Sequence, residues 1–204
     1  MCGPSSAPCY ARCMPIYRRA HVPGGTFFFT VVTEGRHRIL CDDLGRKCLR
    51  EALSECRVRW LFTIEALVLL PDHLHTVWTL PDSDTNFSRR WAFTKKQFTK
   101  GWLRGGGSEA ARSESRERNR RRGVWQRRFW EHAIRDGNDL RRHLDYMYYN
   151  PVKHGLVRCP HAWRHSTFHR DVRLGAYRAD WGCGCRGATA TSMEFSDLNE
   201  TAME

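Results

Sequence analysis

The sequence predicts an α+β fold in which helices pack on an antiparallel β-sheet. Three observations lead to this prediction: a strand precedes the first helix, a β-hairpin follows it, and a last strand lies between two further helices. The chain has 204 residues, and 41% of them are hydrophobic. That length and composition suit one folded domain with a core of its own.

The first half of the chain supplies the first strand, the first helix and the β-hairpin. Residues 26–33, TFFFTVVT, are mostly aromatic or β-branched and predict a strand. Residues 42–56 begin with two acidic side chains and then place apolar residues at helical spacing, which predicts a helix. Residues 60–70 and 73–80 predict two strands joined by a turn.

In the second half of the chain, a polar segment separates one predicted helix from a predicted strand and a last helix. Residues 85–103 have helical periodicity, and residues 104–123 are so rich in Gly, Ser and Arg that they predict a flexible loop. Residues 124–135 predict a strand or an extended segment. Residues 136–150 predict a helix that Pro151 stops, because the residue before a proline avoids the α region.

The two ends differ from the domain between them. We expect residues 1–14 to be a disordered leader, residues 15–182 to form the domain, and residues 183–204 to form an acidic tail. The last 18 residues of that tail contain carboxylates but no Lys or Arg. Disorder is the simplest interpretation. The alternative is a weak mimic of a polyanion that covers a functional site of the domain.

Charge and cysteine usage narrow the class of protein. The formal net charge is +12, which favours a polyanionic partner, most simply nucleic acid, although an anionic membrane surface would also attract it. No apolar run approaches the ~20 residues of a membrane span. The nine cysteines contain no CxxC pair, which argues against a zinc ribbon and favours free thiols in the cytoplasm.

The helix predicted before Pro151 has two distinct stripes. One is apolar and should face the core; it contains Leu140, Leu144 and Met147. The other contains Asp139, His143, Tyr146 and Asn150. A phenol and a carboxamide one turn apart project side by side. An amphipathic helix with tyrosines at its boundary would give the same pattern without any chemistry.

The strand that begins at residue 73 carries a candidate metal site. His73 and His75 point to the same side of a strand, about 7 Å apart, and could converge on one ion. An exposed pair of histidines is the simpler interpretation. Asn150 offers a carbonyl oxygen of the kind that Mg²⁺ and Mn²⁺ accept. A metal there would polarise a phosphate oxygen, and a tyrosine oxygen could then attack phosphorus.

Three motifs in this order resemble one known family. They are LLPDHLHTVW, WQRRFWEH and YMYYNPVKHGLV, within a resemblance that spans about residues 17–181. The chain resembles the REP-associated tyrosine transposases, which are single-tyrosine members of the HUH nucleases. The resemblance implies a ferredoxin-like sandwich and cutting of single-stranded DNA at palindromic hairpins through a 5′-phosphotyrosine. It implies Tyr146 as the nucleophile, His73 and His75 as the metal pair, Asn150 as third ligand, and a monomer.

Other features leave alternatives open. One face of the helix at 85–103 is basic and could contact phosphates or simply be solvated; it contains Arg89, Lys96, Lys100 and Arg104. Glu131 could support a metal-bound imidazole or form an ordinary salt bridge. No P-loop is present, so no nucleotide cofactor is expected. The rival functions are a domesticated, non-catalytic protein that binds DNA hairpins and a replication-initiator nuclease of the same superfamily.

Overall fold

The computed structural model describes residues 19–184, so the predicted leader and residues 185–204 of the tail lie outside the described part. Short 3₁₀ turns occur at Glu34–Arg36 and Pro160–Ala162. The helices and strands, in chain order, are β1 (Thr26–Val32), α1 (Asp43–Arg59), β2 (Thr63–Leu69), β3 (His73–Thr79), α2 (Phe87–Arg104), α3 (Glu114–Arg118), β4 (Trp130–Ala133), α4 (Gly137–Lys153) and α5 (Phe168–Arg173).

The four strands form one antiparallel sheet in the order β2-β3-β1-β4. The long elements follow one another as β-α-β-β-α-β, and the two central strands are β1 and β3. This is the ferredoxin-like arrangement, so the predicted fold class is confirmed. The register between the central strands places Thr30 directly opposite His75. That pairing decides which side chains of β1 can support the histidines of β3.

The sheet is covered on both faces because successive side chains of β1 alternate between them. Phe27 and Phe29 pack into a cluster with residues of α1 and α2. Phe28 packs on the other side with residues of α4 and α5. On the α2 side, Trp78 stacks on Trp91 with ring centroids 4.1 Å apart. The sheet therefore separates two cores, and α2 and α4 lie on opposite sides of it.

Helix α4 does not stop before Pro151, and that prediction was wrong. The helix continues to Lys153, and the His154 amide donates to the Asn150 carbonyl at 2.9 Å. Pro151 itself is buried. A proline in the last turn removes only one helical hydrogen bond, and packing of the buried residues outweighs the local preference of the residue before it.

The segment predicted as a flexible loop contains local structure. Residues 114–118 form α3, and Arg116 makes an ion pair with Glu34. The Trp102 indole N–H donates to the Ser108 carbonyl at 2.7 Å. The following segment, predicted as a strand from residue 124, is a strand only over Trp130–Ala133, with an isolated bridge between Trp125 and Thr33.

Two further findings concern cysteines and membranes. Cys159 and Cys183 are joined as a disulfide, so the expectation of free thiols is wrong for this pair. It is confirmed for Cys41, Cys48 and Cys56.

Within residues 19–184, no helix combines the length and apolar character that crossing a membrane requires.

Gly45 provides a direct test of the packing at the start of α1. A Cβ at this position would lie 1.8 Å from the Ile39 carbonyl oxygen, a backbone atom that cannot rotate away. We expect Gly45→Ala to lower the free energy of unfolding by about 1–3 kcal/mol. Urea unfolding followed by circular dichroism measures this change. Gly137→Ala is the matched control, because a Cβ there has no neighbour within 4 Å; equal midpoints for the two variants would contradict the packing.

Candidate catalytic site

His73 and His75 lie on the face of β3 that points toward α4. Their rings are 1% and 0% exposed, with centroids 5.0 Å apart. The predicted convergence on one side is therefore confirmed, and the alternative of an exposed pair is wrong. The Nδ1 of His73 lies 2.7 Å from Asp72 Oδ1, and the Nδ1 of His75 lies 3.0 Å from Thr30 Oγ1. In both rings, Nε2 is thus the nitrogen that can face a ligand.

The carboxylate of Asp72 holds His73 in place. Burial alone would raise its pKa, but hydrogen bonds from His73 and Arg36 outweigh burial and lower the pKa to about 2. The charged carboxylate favours a proton on Nδ1 of His73, which leaves the Nε2 lone pair for coordination. That Nε2 is buried and has no hydrogen-bond partner within the described residues. A carboxylate behind an imidazole is the usual support for a metal-binding histidine.

Tyr146 faces the two histidines from α4. Its ring centroid is 5.3 Å from that of His75 and 6.1 Å from that of Phe28. Asn150 follows one turn later on the same side of the helix and is fully buried. The structure therefore brings the predicted tyrosine to the predicted histidines, with the predicted asparagine on the same buried face.

Both stripes of α4 pack toward the sheet, and the polar stripe is the more completely buried of the two. Asp139, His143, Tyr146 and Asn150 are all buried. In the predicted apolar stripe only Met147 is fully buried, whereas Leu140 and Leu144 are partly exposed. The alternative of a helix with boundary tyrosines fails for Tyr146, which is 1% exposed. A buried polar stripe must be hydrogen-bonded or hold a ligand to be tolerated.

The three tyrosines of α4 have different surroundings. The Tyr148 hydroxyl donates to Asp171 Oδ2 at 2.5 Å, and burial together with this bond raises the pKa of Tyr148. Tyr149 is partly exposed and lies against Gly182. Tyr146 is the one of the three whose ring packs on a histidine of β3. The Lys153 ammonium lies 5.4 Å from the centre of the Tyr146 ring.

The end of β4 supports the same helix. The imidazole Nε2 of His132 and Asp139 Oδ2 lie 2.8 Å apart. Burial opposes ionisation of Asp139, but its hydrogen bonds to His132 and Arg135 hold its pKa well below the usual range. Glu131 forms a salt bridge with Arg19, which is the simpler of the two interpretations of this residue.

A cavity of about 190 Å³ opens beside His73. Two guanidinium groups that the sequence analysis missed, Arg36 and Arg38, line it together with His154. The only sign of these residues in the sequence is the RHR triplet at residues 36–38. Three residues are too few to show the periodicity of a helix or a strand. Cationic side chains beside a pair of buried imidazoles suit a phosphate group, since arginine binds phosphate oxygens in a fixed geometry.

The four residues of the predicted basic face of α2 do not lie at one site in the structure. Lys96 and Lys100 line a cleft of about 720 Å³ between α2 and the arginine-rich segment, which we call the basic cleft. Arg89 instead lies 4.5 Å from the Trp60 ring, and Arg104 lines a separate groove with acidic neighbours. The side chains that line the basic cleft are Lys95, Lys96, Thr99, Lys100, Ser113, Ser115, Arg116, Arg120, Arg121, Arg122, Trp125 and Arg127.

The basic cleft lies on the α2 side of the sheet, whereas Tyr146 lies on the α4 side. Contact of Arg89, Lys96, Lys100 and Arg104 with phosphates therefore stays a prediction, and Lys96 and Lys100 would make it on the opposite side of the sheet from Tyr146. One connection runs around the end of the sheet, because Glu34 contacts Arg116 and the same turn leads to Arg36 and Arg38 at the cavity. A short turn thus connects Arg116 of the cleft with Arg36 at the cavity.

Comparisons with known proteins found both similar sequences and a similar solved structure. No family model matches the chain. The chain is 44% identical over 168 residues to the REP-associated tyrosine transposase of Escherichia coli K12, a match that covers 82% of this chain and 91% of the relative. It is 42% identical over 170 residues to a Haemophilus influenzae protein of the same family name, covering 83% and 94%. A solved REP-associated tyrosine transposase bound to a REP hairpin superposes with a TM-score of 0.68 at 44% identity, covering 82% and 91%.

Proposed function

The chain belongs to the REP-associated tyrosine transposase family, and from this premise we propose that it is a divalent-metal-dependent endonuclease and strand transferase acting on single-stranded DNA. Its substrate would be a palindromic DNA hairpin, since the similar solved protein is bound to a REP hairpin. The observation that carries the proposal is the burial of Tyr146 against His75, with His73 and Asn150 on the same interior faces.

The residues present suit a divalent ion. His73 and His75 would hold it through Nε2 atoms whose orientation Asp72 and Thr30 fix, and Asn150 would add a carbonyl oxygen. Two imidazoles with one amide oxygen suit Mn²⁺, and Mg²⁺ is the alternative. When bound, such an ion polarises a phosphate oxygen and stabilises the charge that develops during attack.

Tyr146 would carry out the covalent step. Its phenolic oxygen forms a bond to phosphorus, the bond from phosphorus to the 3′ oxygen breaks, and the DNA is left with a 5′-phosphotyrosine and a free 3′-OH. The phenol loses one proton and the 3′ oxygen gains one, so no other reactant is consumed. Because one phosphoester replaces another, the reverse reaction rejoins strands, and no nucleotide cofactor is needed.

The closed site sets a requirement on the substrate. Tyr146 is 1% exposed, so a phosphate reaches its oxygen only after the site opens locally. A flexible single strand can place one phosphate into the 190 Å³ cavity beside Arg36 and Arg38, whereas a stiff duplex cannot. We propose that the DNA stem lies along the basic cleft and that its unpaired flank passes the Glu34–Arg36 turn toward His73.

A second function deserves weight because a hairpin-binding protein without catalysis would use the same basic cleft. The catalytic proposal differs from it in requiring Tyr146, His73, His75 and Asn150, whereas a binding protein needs only positive charge and shape. The two functions therefore separate in experiments that change the buried residues and leave the surface intact.

The first test replaces the proposed nucleophile. We expect Tyr146→Phe to abolish a covalent protein–DNA adduct on a denaturing gel, with labelled palindromic single strands and Mn²⁺, while hairpin affinity changes less than about twofold, or ~0.4 kcal/mol. Tyr149→Phe is the matched control on the same helix and should keep cleavage. An adduct formed by Tyr146→Phe would exclude this residue as the nucleophile.

The second test concerns the metal pair. His73→Ala and His75→Ala should each weaken Mn²⁺ binding by at least about tenfold, because an imidazole ligand is lost. Calorimetric titration of Mn²⁺ measures this change without any DNA. His21→Ala removes an exposed histidine on another part of the surface and serves as the control. Unchanged Mn²⁺ affinity in both β3 variants would rule out this ligand set.

The third test concerns the DNA path. Lys96→Glu with Lys100→Glu should weaken hairpin binding and reduce the slope of log K against log salt by about one unit for each lost phosphate contact. Arg89→Glu, whose side chain packs on Trp60 outside the cleft, is the control and should change binding less. A perfect duplex of the same sequence should compete poorly with the hairpin. If it competes and is cut equally well, the single-strand proposal fails.

A further inference from the structure

Three side chains that take no part in the proposed reaction converge at the end of the described chain. Cys159, His161 and Cys183 each offer a ligand atom, and these atoms all lie within 4.8 Å of one another. The Sγ of Cys183 is 3.4 Å from Nδ1 of His161. In this structure the two sulfurs are joined as a disulfide. The cluster lies beyond the end of α4 and away from the cleft, so neither DNA nor the catalytic metal accounts for it.

The fold holds this cluster together through backbone contacts as well as sulfur. The Gly184 amide donates to the Arg158 carbonyl at 3.3 Å, which brings the segment at residue 183 beside the segment at residue 159. Gly182 has φ of +66°, and a Cβ there would meet Pro160 Cγ at 3.2 Å and Tyr149 Cδ2 at 3.3 Å. A glycine is therefore needed for this close approach. Trp181 anchors the same segment on Phe168, with centroids 5.9 Å apart.

We propose that Cys159, His161 and Cys183, with both thiols reduced, form a zinc site. Two thiolates and one imidazole are the ligand types that Zn²⁺ prefers, and an S–N separation of 3.4 Å fits the edge of a tetrahedron with Zn–ligand bonds of about 2.0–2.3 Å. The sequence contains no CxxC pair to indicate this site, because Cys159 and His161 are spaced as CxH and Cys183 lies 22 residues beyond His161.

Zinc at this position would join two segments that are distant in the sequence. Cys159 and His161 follow α4, whereas Cys183 lies near the end of the described residues, so one ion would link that end to the segment after the helix that carries Tyr146. Two thiols lose their protons on binding, which makes the affinity fall as pH decreases. A Cβ on Gly182 would meet the Tyr149 ring, so the segment that carries Cys183 lies close to α4.

Cobalt is the probe that separates this site from the proposed catalytic one. Only a thiolate ligand gives Co²⁺ an intense near-ultraviolet charge-transfer band, and His73, His75 and Asn150 contain no sulfur. The full-length chain, reduced with a phosphine and stripped with a chelator, should show this band with about one equivalent of Co²⁺, and Zn²⁺ should displace it. The band should persist in His73→Ala.

Variants decide whether the assigned ligands are correct. Cys183→Ser should strongly reduce the band, because one of the two thiolates is lost. His161→Ala, which changes an exposed side chain and leaves the core intact, should weaken Co²⁺ binding by at least about tenfold. Cys41→Ser is the control and should leave the band unchanged, because Cys41 lies outside the cluster. Absence of the band in the reduced chain, an unchanged band in Cys183→Ser, or a disulfide that persists under reduction would each overturn the zinc site.

Discussion

The packing of the polar stripe of α4 against the histidine face of β3 is the contact on which the rest of the structure depends. It places imidazoles, a phenol and an amide in an interior where unpaired polar groups cost several kcal/mol. The cost is reduced by specific partners: Thr30 reaches His75 from the neighbouring strand, and Asp72 reaches His73 from the turn. The register of β1 against β3 is what places Thr30 opposite His75, so sheet pairing and site geometry are one constraint.

The same sheet separates the proposed catalytic residues from the basic cleft. The α4 side carries the buried tyrosine and histidines, and the α2 side carries an aromatic core with the basic cleft at its surface. A protein that grips a folded DNA and acts on one of its phosphates benefits from this separation, because the stem and the reacting phosphate need different surroundings. The stem needs exposed, mobile cations, whereas the phosphate needs fixed donors in a small cavity. The turn at Glu34–Arg36 connects the two.

The three tyrosines of α4 show how neighbouring residues of one type acquire separate tasks. Tyr148 is a structural residue whose hydroxyl binds Asp171, and its raised pKa makes it a poorer nucleophile. Tyr149 contacts the glycine that precedes the cysteine cluster. Tyr146 alone of the three meets a histidine of β3. A rotation of about 100° per residue along a helix is sufficient to send each side chain to a different layer.

The sequence by itself determined the fold class, the common direction of His73 and His75 on one strand, and the common direction of Tyr146 and Asn150 on one helix. These follow from the two-residue period of a strand and the 3.6-residue period of a helix, which are local properties. Tertiary structure alone decided that the polar stripe of α4 is buried, that α4 continues through Pro151, and that Lys96 and Lys100 face away from the tyrosine. It also decided that Arg36 joins the site and that Cys159 meets Cys183. Local periodicity fixes relative directions along one element, but only contacts between distant segments fix which direction is the interior.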